Sequence, residues 1–292
     1  MCKIIADFAK RSNNSNKISL LRPMAYLKLQ YLSAALTGMT TIHAYFPTDA
    51  MSGSAPEPPY KTVYFLPGYS NDAFNMMSYL GLRRECELKG IAIVIPDGNN
   101  AFYVDHPERM SNYSTFVGKE LVEVTRKLFP LSEKREDTFI GGISMGGYGA
   151  LYNGLRFRET FSKIIALSPS TSIYDLICGH DFMFPAGVFT NACGSKDAYF
   201  TSNLNLDKFY GEVPEEEIPD LYFCCGQQDG LVVDAVNRFA DVLNKREIPY
   251  IYRKGDGNHE LDYWERHLDD AFSFLVGIEP GTKNRLVLGD FG

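Results

Sequence analysis

One short stretch restricts this chain more than any other. Residues 137–151 read Asp-Thr-Phe-Ile-Gly-Gly-Ile-Ser-Met-Gly-Gly-Tyr-Gly-Ala-Leu. Phe139, Ile140 and Ile143 have strand character, and residues 145–155 have the small side chains of a closely packed helix. Between them, Gly142, Ser144 and Gly146 are spaced G-x-S-x-G. A serine at such a junction is held on a sharp strand-to-helix turn, with its hydroxyl exposed at the top of a sheet. The glycines let strand and helix approach where a Cβ would intervene. The competing reading is a glycine-rich turn without chemistry, so the rest of the chain must decide.

The surrounding pattern is alternating strand and helix. Residues 25–33 and 39–46 alternate apolar and polar, which predicts an antiparallel start. Residues 61–66, 91–95, 161–167, 221–225 and 250–253 are short apolar runs of the kind buried in a parallel sheet. Helices are expected over 74–89, 113–128, 145–155, 231–246 and 260–276. Residues 51–60 and 96–112 read as loops. This succession predicts an α/β fold, a mostly parallel sheet with helices on both faces. Residues 170–218 break the rhythm and read as a cap-like insertion over the carboxyl edge of the sheet, with some short helices. Residues 1–23 read as an appendage, or as preceding a natural start at Met24; the alternative is a short helix over 4–8 that docks on the domain. The catalytic domain is expected over 24–277, and 278–292 as a tail.

Composition narrows the partners. Acidic residues outnumber basic ones 36 to 29, giving −7, and no basic run is present, so nucleic acid is not expected. No apolar stretch is long enough to span a membrane, and no signal-peptide pattern is visible. The six cysteines form no C-x-x-C pair and read as reduced thiols of a cytoplasmic protein. None lies on an elbow, which argues against a catalytic thiol. The five histidines are dispersed without metal-ligand spacing. No cofactor motif is present.

Catalytic groups gather at the carboxyl ends of parallel strands. Ser144, Asp229 and His259 occupy such places, in the chain order of an α/β-hydrolase. Ser144 needs a base to lose its proton, and a neutral imidazole suits that near neutral pH. Asp229 would fix the tautomer of His259 and stabilise the imidazolium. His106, in a loop after a strand end, is the rival base, and Asp175 an alternative acid. His43 reads as structural, His180 lies in the insertion, and His267 lies on the polar side of the last helix. Asp229 could also be only the cap of the helix that follows. The oxyanion would need two N–H donors. Met145, at a helix N-terminus, and Tyr69, in the Pro67-Gly68-Tyr69 turn, are the candidates, unless that turn is only a turn.

These motifs carry a resemblance. Residues 66–70 (Leu-Pro-Gly-Tyr-Ser), Phe102-Tyr103, Phe129-Pro130, residues 134–150, residues 225–229 (Cys-Gly-Gln-Gln-Asp) and residues 259–264 (His-Glu-Leu-Asp-Tyr-Trp) together resemble the bacterial tributyrin esterase/acetyl esterase family. That family is a branch of the esterase D-like α/β-hydrolases, and the similarity runs from about residue 24 to about 276. It implies a cytosolic serine carboxylesterase acting on short-chain acyl esters, without a cofactor. Relatives include feruloyl and acetylxylan esterases and S-formylglutathione hydrolases, and members often oligomerise. The chain departs in having Pro67 where the family usually has His, which leaves the backbone donor intact. Ser70-Asn71-Asp72 stands where S-formylglutathione hydrolases carry a cysteine. Substrate contacts are expected from Gly68, from Phe102 and Tyr103, and from Phe184 in the insertion, near Phe182 and Phe189. Trp264 reads as core. Three alternatives to the ester hydrolase remain: a thioester hydrolase of the S-formylglutathione type, an acyltransferase, and a non-catalytic binding protein on the same fold.

Overall fold

The computed structural model describes residues 25–48, 56–180 and 182–282. The expectations for residues 1–24, and for the tail beyond 282, lie outside the described residues. Eight strands form one sheet: β1 (Ala25–Ser33), β2 (Gly38–Phe46), β3 (Thr62–Leu66), β4 (Ala92–Pro96), β5 (Thr138–Ile143), β6 (Lys163–Leu167), β7 (Asp220–Gly226) and β8 (Tyr250–Gly255). Their spatial order is β1-β2-β4-β3-β5-β6-β7-β8. β2 runs antiparallel to both β1 and β4. From β4 through β8 every pairing is parallel.

The central strands of the sheet are buried on both faces because each alternates between two cores. Tyr64 and Leu66 of β3 join the cluster containing Val94 and Ile140, whereas Val63 and Phe65 join Ile93, Ile95 and Phe139. This is the two-residue pleat acting on a run with no polar face. Helices α1 (Ala73–Tyr79), α2 (Leu82–Lys89) and, late in the chain, α10 (Leu261–Val276) cover the second face through Met76, Leu82, Cys86, Leu268 and Phe272. On the first face lie α3 (Leu121–Leu128), α4 (Met145–Arg156) and α9 (Val233–Lys245), through Leu121, Tyr148, Leu151, Val236 and Phe239. A short turn, Tyr113–Thr115, and a π-helical segment, Phe116–Glu120, lead into α3.

Two local expectations are corrected. The helix over 74–89 is two helices, because Leu80 is extended and the Gly81 N–H is taken by Glu265 Oε2 at 2.9 Å. The loop over 96–112 contains a two-residue ladder, Asp105–His106 with Ser111–Asn112, around a 3-10 turn at Pro107–Arg109. Within residues 170–218 the chain folds as four short helices, α5 (Ile173–Gly179), α6 (Val188–Cys193), α7 (Lys196–Thr201) and α8 (Leu206–Glu212), before a 3-10 turn at Glu215–Glu217. Tyr148 of α4 donates to the Leu204 carbonyl at 2.8 Å, and Arg109 donates to Asn191, so these helices are tied to the elements bearing the site. Among the described residues no helix is long and apolar enough to cross a membrane.

Candidate active site

Ser144 sits between β5 and α4 with φ 56° and ψ −115°, a conformation an L-residue adopts only when its surroundings impose it. The crowding is visible at the glycines. A Cβ on Gly146 would lie 1.9 Å from the Leu66 carbonyl oxygen, and one on Gly142 would lie 2.4 Å from the Gly146 carbonyl oxygen. The neighbouring strand clamps the serine backbone. The Ser144 N–H donates to the Leu167 carbonyl at 2.9 Å, and the Ser170 N–H donates to the Ser144 carbonyl at 3.0 Å. The Ser144 hydroxyl has no hydrogen-bond partner among the described residues, so a serine–imidazole contact is not closed in this state. Such contacts commonly tighten only when substrate binds.

Asp229 is fully buried after β7. Its Oδ2 lies 2.8 Å from His259 Nδ1, and its Oδ1 accepts the Leu231 N–H at 3.2 Å. One carboxylate therefore both caps the following turn and holds the imidazole. Because an ionised carboxylate only accepts, Nδ1 carries the proton and Nε2 is left with a lone pair. The histidine loop is stitched to the aspartate loop. Gln227 N–H donates to the Gly255 carbonyl at 2.8 Å, Gln228 N–H to the Gly257 carbonyl at 3.1 Å, and Gly257 N–H to Gln228 Oε1 at 2.8 Å. Gln228 is a supporting residue that the strand-end argument passed over.

The turn after β3 flanks the serine. A Cβ on Gly68 would lie 3.5 Å from Ser144 Cβ. Ser70 N–H donates to Asn100 Oδ1 at 2.6 Å and Asn71 N–H to the Gly68 carbonyl at 3.3 Å. The Tyr69 and Met145 N–H groups donate to no acceptor among the described residues. Met145 is also the first residue of the 12-residue helix α4, where the helix dipole favours negative charge.

The aromatic residues divide. Tyr69 packs against Phe102 at 5.8 Å and Phe184 at 5.1 Å between ring centroids, and Phe184 is partly exposed. Phe102 and Tyr103 are fully buried. Tyr103 donates its hydroxyl to the Pro67 carbonyl at 2.8 Å, while its own carbonyl accepts from Asn153 Nδ2 at 3.0 Å. Tyr103 therefore braces the turn from beneath, a place different from the substrate-lining one expected for it. Both residues have positive φ, 50° and 56°, which folds the loop back under the turn.

The remaining candidates stand apart. Asp175 is paired with Arg238, and His106 Nδ1 lies 3.3 Å from Glu108. His43 is bonded to the Tyr26 hydroxyl at 2.7 Å, and burial lowers its pKa. His267 packs on Tyr263 at 4.5 Å, and its pKa is lowered by burial as well. Among the described residues, no group of three or more His, Cys, Asp or Glu side chains is arranged to hold a metal ion.

Comparison with known proteins places the chain in a family and a fold. The family model described as "Putative esterase" matches residues 33–275. The "Acetyl esterase" of Caldicellulosiruptor saccharolyticus is 33% identical over 269 residues, covering 87% of this chain and 99% of the relative. Among solved structures, the fluorophosphonate-binding serine hydrolase FphF of Staphylococcus aureus superposes with a TM-score of 0.73 at 28% identity, covering 87% of this chain and 99% of that one. The S-formylglutathione hydrolase FrmB of the same organism gives a TM-score of 0.72 at 28% identity, with the same coverage. The architecture is that of the α/β-hydrolase fold.

Proposed function

The chain belongs to this esterase family and is a carboxylic ester hydrolase; on that footing we propose that Ser144, His259 and Asp229 carry the reaction on short-chain acyl esters. The observation that carries the assignment is the fully buried Asp229 carboxylate 2.8 Å from His259 Nδ1. In a water-poor site that pairing fixes the tautomer and stabilises the imidazolium that forms when Nε2 accepts a proton.

In this reading His259 Nε2 takes the Ser144 proton as Oγ attacks the acyl carbon. The oxygen that becomes negative is received by the Tyr69 and Met145 N–H groups, which have no competing acceptor. The imidazolium returns its proton to the leaving alcohol, which departs and leaves the acyl group on Ser144. Water, deprotonated by the same imidazole, then releases the acid. Phe184, and the Tyr69 ring it packs on, bound the acyl side, with Gly68 admitting substrate close to the serine. Acetyl and butyryl esters suit this reading, acetylated saccharides among them, and feruloylated saccharides are a further substrate class within it. The five described cysteines are all free, which fits a cytoplasmic enzyme. The exposed Leu32 and Met39 of the β1–β2 hairpin, cross-strand partners, fit self-association.

Ser144→Ala should abolish hydrolysis of nitrophenyl acetate and butyrate, and should abolish labelling by a fluorophosphonate probe. Wild-type turnover in that variant would remove the assignment. A thioester hydrolase is the second reading, favoured by the similarity to FrmB. Turnover of acyl-glutathione faster than of oxygen esters would select it.

A further inference from the structure

Ser144 follows β5 and His259 follows β8, so two intervening strands separate the elements that bear them. Something must set the distance between nucleophile and base. The end of β6 and the segment that follows it are bonded to both sides. The Leu167 carbonyl and Ser170 N–H grip the Ser144 backbone. Between them stands Ser168, fully buried, with φ 41° and its N–H donated to the Cys224 carbonyl at 2.8 Å. Its hydroxyl oxygen accepts the indole Nε1–H of Trp264 at 3.0 Å. The Trp264 ring in turn meets the His259 ring edge to face, with centroids 5.1 Å apart and planes at 89°.

We infer that Trp264 and Ser168 form a strap that positions His259 relative to Ser144. Trp264 is thus a positioning residue for the imidazole rather than a core side chain alone. The physical reason is that Asp229 fixes only one edge of the imidazole. A single hydrogen bond at Nδ1 lets the ring swing about that contact. The loop that carries it contains Gly257, at φ 151°. A second contact on the ring removes that freedom, and the indole supplies it because its N–H is anchored to the strand end that holds the serine. Misplacement by about 1 Å at a reacting centre can cost up to about a hundredfold in rate, so a partial loosening should be visible in turnover. A positive φ at a non-glycine residue is also what a site held by its surroundings, against local preference, produces.

This inference rests on the assignment of Ser144 and His259. The experiment uses Trp264→Phe, which keeps an aromatic ring beside the imidazole and removes the N–H donor, and Ser168→Ala, which removes the acceptor. Each should lower kcat on nitrophenyl acetate about five- to tenfold, with KM within about twofold and little change in Tm. The double variant should be no worse than the poorer single one, because both break one link. Wild-type kcat in both single variants, a loss carried by KM, or losses that multiply in the double variant would overturn the strap. Ser144→Ala keeps the two questions apart. If it is inactive while Trp264→Phe and Ser168→Ala turn over normally, only the strap fails. If it is active, the assignment fails and the strap with it.

Discussion

Asp229 shows how much one side chain carries here. Its two oxygens have separate duties, Oδ1 on the Leu231 N–H and Oδ2 on His259 Nδ1. Asp229→Asn separates them. The amide oxygen can keep the turn while the amide nitrogen faces a ring N–H, so the imidazole must adopt the wrong tautomer or lose its partner. We expect kcat to fall on the order of a thousandfold or more, the scale seen when the acid of such a triad becomes its amide. The thermal midpoint, read by circular dichroism, should move little. The candidates Ser144, Asp229 and His259 stand out in the sequence because the elbow spacing and the strand ends are local features. Trp264 does not. On α10 it recurs in step with Leu261, Leu268 and Phe272, and that period is the same for a core residue and for one that turns its N–H toward another strand. Tyr103 was misjudged for a related reason. Its position beneath the turn depends on two consecutive positive-φ residues, which nothing in Phe102-Tyr103 requires.

At the scale of elements, the docking of α2 on α10 buries charged side chains. Lys89 and Asp269 meet at 2.7 Å with both side chains buried. Beside them Glu85 is also fully buried, 3.1 Å from Arg84, with one carboxylate oxygen unpartnered. Burial pushes the Glu85 carboxyl up from its ordinary 4.5 to about 7, against the opposing pull of Arg84. The folded protein therefore holds a proton that the unfolded chain releases between those two values. Stability should fall as pH rises from 4.5 to 7 and level off above, by an amount of about 3 kcal/mol as an upper order of magnitude. Glu85→Gln should flatten that window and be more stable than wild type at pH 8, in urea denaturation at pH 5 and pH 8. Arg84 is not orphaned by the change, because Glu265 remains 2.8 Å away. An unchanged pH dependence would show that Glu85 stays ionised. The strands of the sheet and the apolar faces of the helices could be anticipated from periodicity, because each buried run is short and bounded. The break at Leu80-Gly81 could not, since the acceptor that ends the helix is Glu265, 184 residues away in sequence.

Considered as a whole molecule, the chain carries a net charge of −7, and the surroundings of the site share its sign. The hollow beside the Pro67-Gly68-Tyr69 turn, about 210 Å³, is lined by Ser70, Asn71, Asp72, Asn75, Asp97, Asn99 and Asn100, two carboxylates among amides with no cation. A neutral ester approaching Ser144 past this hollow would carry no charge for it to repel. Acyl-glutathione, with two carboxylates and one ammonium group, would arrive with a net negative charge and should be repelled by both the near carboxylates and the net charge of the chain. Salt should therefore act on the two substrates differently, because mobile ions screen exposed charges beyond about 8 Å at physiological ionic strength. Raising NaCl from about 20 to about 300 mM should leave kcat/KM for nitrophenyl acetate unchanged, while increasing that for acyl-glutathione by roughly two- to fivefold through relief of repulsion. The opposite slope, acyl-glutathione slowing as salt rises, would mean that an attractive cationic surface steers it to Ser144. The thioester would then be the substrate this molecule is shaped to receive, since steering by charge works only where the field and the ligand have opposite signs.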